Sequence, residues 1–308
     1  MTAPRWPAGA AAARAQTGGR ADGTPRSAPV IVLTYPHAGA HRLRALLTDR
    51  PELVCTSGIG LLAACDRAAA AWRQAERRSD GSMSTLAASS VRALATGMIT
   101  AMVARAGRPR WCETAVADRG AAETFLRLFP AARFLCLHRA CPDVVYTALH
   151  ANPWGVSGPG FAAYTAAYPG STAAALAAWW CGHAGTALAF EEAHPQACLR
   201  VRYEDLAADT ERTAAGIGEF LGLTDGYPLP GMAPGSATGG PSGAARDGPS
   251  GAARDGASGG DGGWASAGAD APGCGADFPC GQIPVPLLTQ INALHAGLGY
   301  PPLRPDSR

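Results

Sequence analysis

The feature that most constrains the fold is residues 30–47, where an apolar run passes through a short turn into a helical pattern. The run is largely β-branched and ends at Thr34, the turn contains Pro36 and Gly39, and leucines then recur at helical spacing. This order is typical of a buried strand, a tight loop and the first turns of a helix. The sequence therefore predicts a strand–loop–helix unit at the start of a folded domain.

The predicted loop has the features of an anion-binding site. Backbone N–H groups and the positive end of the helix dipole point to one place at the start of a helix. His37, His41 and Arg42 add side chains that favour negative charge there. The alternative is an ordinary turn of an α/β domain that binds nothing, and this stretch alone does not separate the two.

Composition limits the classes of function. The chain has 308 residues, 47% of them hydrophobic, which is enough for a sizeable core in one large or two small domains. The net charge of +2 argues against a general nucleic-acid-binding surface. The sequence contains no lysine, so its basic side chains are arginine and histidine. A guanidinium suits two-pronged contact with phosphate or sulfate.

The cysteines favour buried thiols in a reducing compartment. There are nine of them, an odd number, several lie in apolar runs, and no C-x-x-C pair is present. Cys274 and Cys280 lie close together, but two cysteines without nearby histidines are weak evidence for a disulfide or a metal. We therefore expect no metal site.

The sequence predicts a cytoplasmic protein with no membrane or nucleic-acid partner. No apolar run approaches the roughly 20 residues of a membrane helix. Residues 1–28 are rich in alanine, glycine, proline and arginine and lack the apolar centre of a signal peptide. We predict a disordered tail there. The sequence does not predict the oligomeric state.

Strand and helix patterns alternate over residues 29–223, which predicts an α/β domain with a mostly parallel sheet. Short apolar runs predict strands at 29–34, 51–55, 110–114, 133–138 and from 198. Helical spacing predicts helices at 40–50, 59–78, 84–106, 119–128, from Pro142, at 171–193, and from Asp209 or Thr210 to Leu221. Asp118 is placed to cap the helix at 119.

Two segments differ from this pattern. Residues 151–171 are rich in glycine, proline and aromatic residues, and we predict an irregular lid or binding loop. Residues 224–275 are dominated by glycine, alanine, serine, proline and aspartate, with a near-tandem repeat, and we predict a disordered insertion. Apolar periodicity returns over 276–308, where we expect a C-terminal helix that docks on the main domain.

A second candidate anion site follows the strand that ends at His138. Arg139 comes directly after this strand, and Thr147 lies eight residues further on, on the same side of the next helix. Ligands of open α/β sheets bind beyond the carboxyl ends of the strands. An arginine and a hydroxyl so placed suit a phosphate group, although Arg139 is also placed to form a structural salt bridge with Asp143.

These stretches together resemble the sulfotransferases that use 3′-phosphoadenosine 5′-phosphosulfate (PAPS). Residues 34–41 resemble the loop of that family that binds the 5′-phosphosulfate. Residues 129–139 with Thr147 resemble its 3′-phosphate motif, an arginine followed eight residues later by serine. Further family features are similar at 201–206, 220–223 and 298–301. The resemblance extends over 29–223 and again over 276–303.

The resemblance implies a three-layer α/β/α fold of the P-loop type and sulfuryl transfer from PAPS to a hydroxyl or amine of a small-molecule acceptor. It also implies that Arg139 and Thr147 hold the 3′-phosphate and that 151–171 covers the acceptor. The implied phosphosulfate loop comprises Tyr35, Pro36, His37, Ala38, Gly39, Ala40, His41 and Arg42. Positive groups and backbone donors at that loop suit the negative charge of a sulfuryl group in transfer.

The loop departs from the family pattern at several positions. The family has lysine or arginine where His37 stands, and serine or threonine where Ala38 and Ala40 stand. It often has threonine where His41 stands, and Gly39 is retained. Each lost hydroxyl removes a hydrogen bond worth about 1.5–3 kcal/mol to a charged group. The competing hypothesis is therefore a scaffold that binds nucleotide or a partner without turnover. A P-loop kinase is disfavoured because G-x-x-x-x-G-K-[ST] is missing from the sequence.

The general base is the least determined part of the site. Family members often carry an acid or histidine in the segment that corresponds to 56–60, and this sequence has neither there. The candidates are Glu113, in a stretch resembling a family Glu-Lys-Thr/Ser segment, and His41. Their alternatives are a salt bridge at the sheet end and a surface position. His37 is a third catalytic candidate, because it stands where the family loop has a cation.

Overall fold

The computed structural model describes residues 28–76, 84–151, 160–223, 278 and 280–304. The tail predicted at 1–28, apart from residue 28, and the insertion predicted at 224–275 lie outside these residues.

A five-stranded parallel sheet forms the centre of the domain, as the apolar runs predicted. Its strands pair in the order β2-β3-β1-β4-β5, and every pair is parallel. The strands are β1 Val30–Thr34, β2 Leu53–Ser57, β3 Arg110–Val116, β4 Arg133–His138 and β5 Cys198–Arg202. Because successive residues of a strand face opposite sides, both sides of the buried β1 require cover.

The helices cover both faces, which confirms the α/β fold. The described helices are α1 Ala40–Thr48, α2 Leu61–Glu76, α3 Ser84–Ala106, α4 Arg119–Leu128, α5 Cys141–Ala151, α6 Phe161–Ala167, α7 Thr172–Ala193, α8 Tyr203–Ala208, α9 Thr210–Leu221 and α10 Val285–Leu298. Asp118 caps α4 by accepting from the N–H of Ala121, as predicted. Asp209 caps α9 in the same way through Arg212.

The two faces of β1 pack in different cores. Val30 and Val32 pack with residues of α1, α8 and α9 on one face. Ile31 and Leu33 pack with residues of α2, α3 and α4 on the other. A third core lies around Tyr35, just past the end of β1, and contains residues of α5, α6, α7 and α10. The domain therefore has three layers, with extra helical packing beyond one edge of the sheet.

Two helices depart from the sequence expectations. The irregular stretch predicted at 151–171 is wrong in part, because Phe161–Ala167 forms α6 and Phe161 packs edge-on against Trp179; residues 152–159 lie outside the described residues. Helix α3 is, from Leu86 to Ala106, long and apolar enough by length and composition to cross a membrane, contrary to the sequence expectation. One face of α3, which includes Ile99, nevertheless packs in the core.

Candidate active site

The ends of neighbouring strands bring the loop after β1 and Arg139 to one edge of the sheet. Strand β1 lies between β3 and β4, and the carboxyl ends of parallel strands meet at the same edge. The backbone N–H of Ala117, just after β3, donates to the carbonyl of Thr34, the last residue of β1, over 2.7 Å. Arg139 directly follows β4. The two motifs predicted from the sequence therefore lie side by side.

The loop after β1 has a backbone that few residues allow. The N–H of Ala38 donates to the carbonyl of Tyr35 over 3.2 Å, and His37 and Gly39 adopt left-handed φ angles of 65° and 87°. A Cβ at Gly39 would lie 2.2 Å from a ring carbon of Tyr203, on α8. Glycine is thus required at position 39 both by its φ angle and by the close approach of this ring.

Arg139 contacts the loop directly. Its Nη1 donates to the carbonyl of His37 over 3.0 Å, and its guanidinium lies 4.4 Å from the centre of the Tyr203 ring. The side chain is 3% exposed, yet its Nε has no hydrogen-bond partner within the described part of the chain. A buried guanidinium N–H without a partner is a donor available to an anion.

The backbone of Arg139 is held from below by two aromatic side chains. The hydroxyl of Tyr35 accepts from the Arg139 N–H over 2.9 Å and donates to the Arg139 carbonyl over 3.1 Å. The Nε1 of Trp180, on α7, donates to the same carbonyl over 3.0 Å. Burial raises the pKa of Tyr35 above its usual range, so the hydroxyl stays protonated. Tyr35, a predicted ligand residue, instead uses its hydroxyl to position Arg139.

The first N–H groups near the start of α5 already have protein partners. The N–H of Ala140 donates to Glu204 Oε1 over 2.9 Å, and that of Cys141 donates to His295 Nε2 over 3.3 Å. The Tyr300 hydroxyl donates to the other oxygen of Glu204 over 2.9 Å. The residues near α10 thus hold the turn that carries Arg139, and these two amides are not available to an anion.

The predicted cations of the loop differ in character. Burial and then the nearby Arg139 guanidinium lower the pKa of His37, so its imidazole is neutral at physiological pH. His41 is exposed on the first turn of α1. Arg42 is half-buried and its Nη2 lies 3.5 Å from Thr210 Oγ1, at the start of α9. Arg139, by contrast, contacts the loop backbone directly through the carbonyl of His37.

Thr147, the predicted partner of Arg139, lies in the second turn of α5. Its side chain is 8% exposed, and its hydroxyl has no hydrogen-bond partner among the residues that the structure describes. It therefore offers a second buried polar atom, besides the Nε of Arg139, that a phosphate oxygen can satisfy.

Glu113 is not at the edge of the sheet. It lies opposite Ile31 in the pairing of β3 with β1, three residues before the end of β1. Its Oε1 accepts from the N–H groups of Gly60 and Leu61, over 2.6 and 3.3 Å, and so caps α2. Burial raises the pKa of this carboxyl, and the backbone amides oppose the shift. The structure does not bring Glu113 to the loop, and its partners are helix amides.

His183, on α7, lies at the edge and was not among the residues selected from the sequence. The ring contacts Trp179 edge-on, with 4.9 Å between the ring centres, and it hydrogen-bonds the backbone of Ala117. Burial lowers the pKa of His183, and the bond to Ala117 opposes the shift in part. The available signal was a single histidine ring among the small and apolar residues of 173–188, which by itself is weak.

Within the described residues, no group of three or more histidine, cysteine or acidic side chains is placed to hold a metal ion. The eight described cysteines are free thiols, and seven of them are buried.

Comparison with known proteins gives a family and several solved structures. A sequence model described as the sulfotransferase family matches residues 29–226. The chain is similar to the sulfotransferase domain of the curacin biosynthetic pathway (15% identity, 65% of this chain and 76% of that chain, TM-score 0.46). It is also similar to a sulfotransferase from Alicyclobacillus acidocaldarius (14% identity, 68% of this chain and 87% of that chain, TM-score 0.43). A third similar structure is the sulfotransferase domain of the Synechococcus PCC 7002 olefin synthase (17% identity, 67% and 78%, TM-score 0.41). No curated protein matches the chain.

Proposed function

Because this chain belongs to the sulfotransferase family, we propose that it transfers a sulfuryl group from PAPS to a hydroxyl or amine of a small-molecule acceptor. PAPS supplies the sulfuryl group, joined to the 5′-phosphate through a bridging oxygen. The chain would bind this donor across the neighbouring ends of β1 and β4.

The observation that carries the proposal is the contact between the two motifs. Arg139 Nη1 reaches the carbonyl of His37 over 3.0 Å, so the loop and the arginine border one space. PAPS has negative charge at both ends of its sugar, which suits an arginine at one end and a helix N-terminus at the other. The Nε of Arg139 and the hydroxyl of Thr147, which have no hydrogen-bond partner in the described part of the chain, fit a 3′-phosphate.

The role of the loop is to hold the sulfuryl end and oppose its charge. The N-terminus of α1 follows Gly39, so its first amides face the space above β1. In such transfers, positioning and electrostatic stabilisation provide most of the rate enhancement. Arg42 and His41 lie on the first turn of the same helix, where the Arg42 guanidinium adds positive charge near it.

Calorimetric titration with adenosine 3′,5′-bisphosphate tests the binding part of this proposal. We expect Arg139→Ala to weaken binding about 100-fold, because charged hydrogen bonds contribute roughly 1.5–3 kcal/mol each. Adenosine 5′-monophosphate, which lacks the 3′-phosphate, should lose much less affinity in the same variant. Arg105→Ala, at the exposed end of α3, is the matched control and should bind normally. Unchanged affinity in Arg139→Ala would refute this placement.

A transfer assay with labelled PAPS and a panel of phenols, alcohols and amines tests the reaction. Transfer to any member supports the enzyme. A second candidate function, a nucleotide-binding scaffold without turnover, is favoured by the alanines at 38 and 40 and the neutral His37. Tight binding of the bisphosphate without transfer would support the scaffold, and no binding would overturn both candidates.

A further inference from the structure

The order of the strands predicts the side from which an acceptor approaches. The loop stands at the end of β1, Arg139 stands at the end of β4, and β3 lies on the other side of β1. A nucleotide bound by both motifs extends from β1 towards β4. In an in-line transfer, the attacking and leaving oxygens lie on opposite sides of the transferred group. The acceptor must therefore reach the sulfuryl group from the β3 side.

His183 stands on that side. Its ring hydrogen-bonds the backbone of Ala117, the residue that follows β3. The N–H of Ala117 already donates to the carbonyl of Thr34, at the end of β1. The ring must accordingly donate to the carbonyl of Ala117. This bond fixes one ring nitrogen as the donor, so in the neutral ring the other nitrogen is unprotonated and carries a lone pair, as a histidine general base requires.

We propose that His183 is the general base that accepts the proton of the acceptor in sulfuryl transfer, an inference that rests on the proposed function. The acceptor O–H bond breaks and its proton moves to the free nitrogen of His183. The acceptor oxygen forms the new bond to sulfur. The bond between sulfur and the bridging oxygen breaks, and its electron pair leaves with adenosine 3′,5′-bisphosphate. The imidazolium then releases its proton to water.

The other candidates are less well placed for this role. The bonded oxygen of Glu113 caps α2, and the residue lies level with Ile31 and so below the edge. His41 is on α1, whose leucines pack with Val30 and Val32, whereas the Phe190 side chain of α7 packs in the core on the other face of β1. His183 is half-buried at the edge itself. Its lowered pKa keeps the ring neutral at physiological pH, as a base requires.

The test compares His183→Gln and His183→Ala with the wild-type chain in the transfer assay. We expect kcat to fall about 10²–10⁴-fold in both variants, the usual contribution of a positioned base. The dissociation constant of adenosine 3′,5′-bisphosphate should stay within about twofold of the wild-type value, since His183 does not contact the nucleotide. Added imidazole should restore part of the activity of His183→Ala, where the ring has left a space, and should not rescue His183→Gln.

His194→Gln is the matched control, because His194 ends the same helix and packs against Phe190, away from the loop. It should retain wild-type kcat. Wild-type kcat in both His183 variants would refute the role of His183 as general base but would not contradict the proposed sulfotransferase activity. Wild-type protein that binds the bisphosphate but transfers to no acceptor would overturn both. If a thermal unfolding curve shows that His183→Ala does not fold, His183→Gln alone decides the outcome.

Discussion

At the residue scale, position 39 shows how one contact across the chain restricts the loop. Gly39 lies at the N-cap of α1 with φ 87°, and the Tyr203 ring occupies the place where a side chain would begin. The same ring also lies against the guanidinium of Arg139. The Tyr203 ring thereby restricts the residue type at position 39 and contacts the side chain of Arg139.

Gly39→Ala should destabilise the protein more than Gly58→Ala. Both glycines have positive φ angles, 87° and 74°, so both variants carry the backbone strain of about 1–2 kcal/mol. No described atom lies within 4 Å of a Cβ built at Gly58, whereas one at Gly39 meets the Tyr203 ring. The overpacking should add roughly 1–3 kcal/mol, measured by urea unfolding. Equal losses in the two variants would contradict the close approach.

His37 gives the loop a pH dependence that an arginine would not. Its pKa is lowered in the free site, first by burial and then by Arg139, and a bound anion favours the charged imidazole. Binding of adenosine 3′,5′-bisphosphate should therefore take up a proton and tighten as pH falls from about 8 to 6. Calorimetry in buffers of different ionisation enthalpy measures this uptake. The ligand phosphates also titrate, so the difference from His37→Gln isolates the histidine; no difference would exclude the effect.

Residues in short local motifs were predictable from the sequence, whereas residues that act through distant partners were not. Arg139 and Gly39 were identifiable because each belongs to a short local motif. Glu204 and His183 act through partners far along the chain, the amide of Ala140 and the carbonyl of Ala117, and no local pattern encodes such contacts. Glu113 was selected for its residue type and its place in a family-like stretch, and only its contacts reveal that it caps a helix.

At the element scale, hydrophobic periodicity located the strands and most of the helices. The apolar runs gave β1 and β4, and the polar residue before an amphipathic run gave the cap of α4. Helix α6 was missed because the glycines and prolines before it suggested an irregular segment, although its aromatic residues have helical spacing. Helix α8 was not among the predicted helices, because it spans only the six residues Tyr203–Ala208.

Helix α3 provides a test of which face packs inward. Ile99 is fully buried in the core beside α2 and α4, whereas Leu94 is 71% exposed. Ile99→Ala should lower the free energy of unfolding by about 2–5 kcal/mol, because it leaves a cavity. Leu94→Ala should change it by less than about 0.5 kcal/mol. Denaturant unfolding of the two variants checks this, and a large loss in Leu94→Ala would mean that the outer face is covered.

At the scale of the whole molecule, parallel pairing was predictable but strand order was not. Alternating strands and helices imply parallel neighbours. The order β2-β3-β1-β4-β5 depends instead on long-range pairings between strands separated by helices, and the sequence carries no local record of them. The proposed side of acceptor approach depends on this order, so the proposed general base could not be derived from the sequence.

Three buried or half-buried histidines should make the fold sensitive to mild acid. Burial is the first cause that lowers the pKa of His37, His183 and His295, so each is neutral when folded and gains a proton more readily when unfolded. Below about pH 6.5 the unfolded chain therefore binds more protons than the folded protein does. The free energy of unfolding decreases as the pH is lowered through that range. We expect Tm to decrease between about pH 7.5 and 5.5. His295→Gln should reduce this slope, and a flat Tm would contradict the assignment.

Glu204, His295 and Tyr300, which hold the turn that carries Arg139, affect when the candidate site forms during translation. A growing chain contains Arg139 long before Tyr300 and His295 leave the ribosome. Until then the turn before α5 has no partner for the Cys141 amide and lacks the hydroxyl that anchors Glu204. Nascent chains arrested before residue 295 should therefore retain the sheet but bind the proposed nucleotide poorly, because the partners from α10 and Tyr300 have not yet been synthesised.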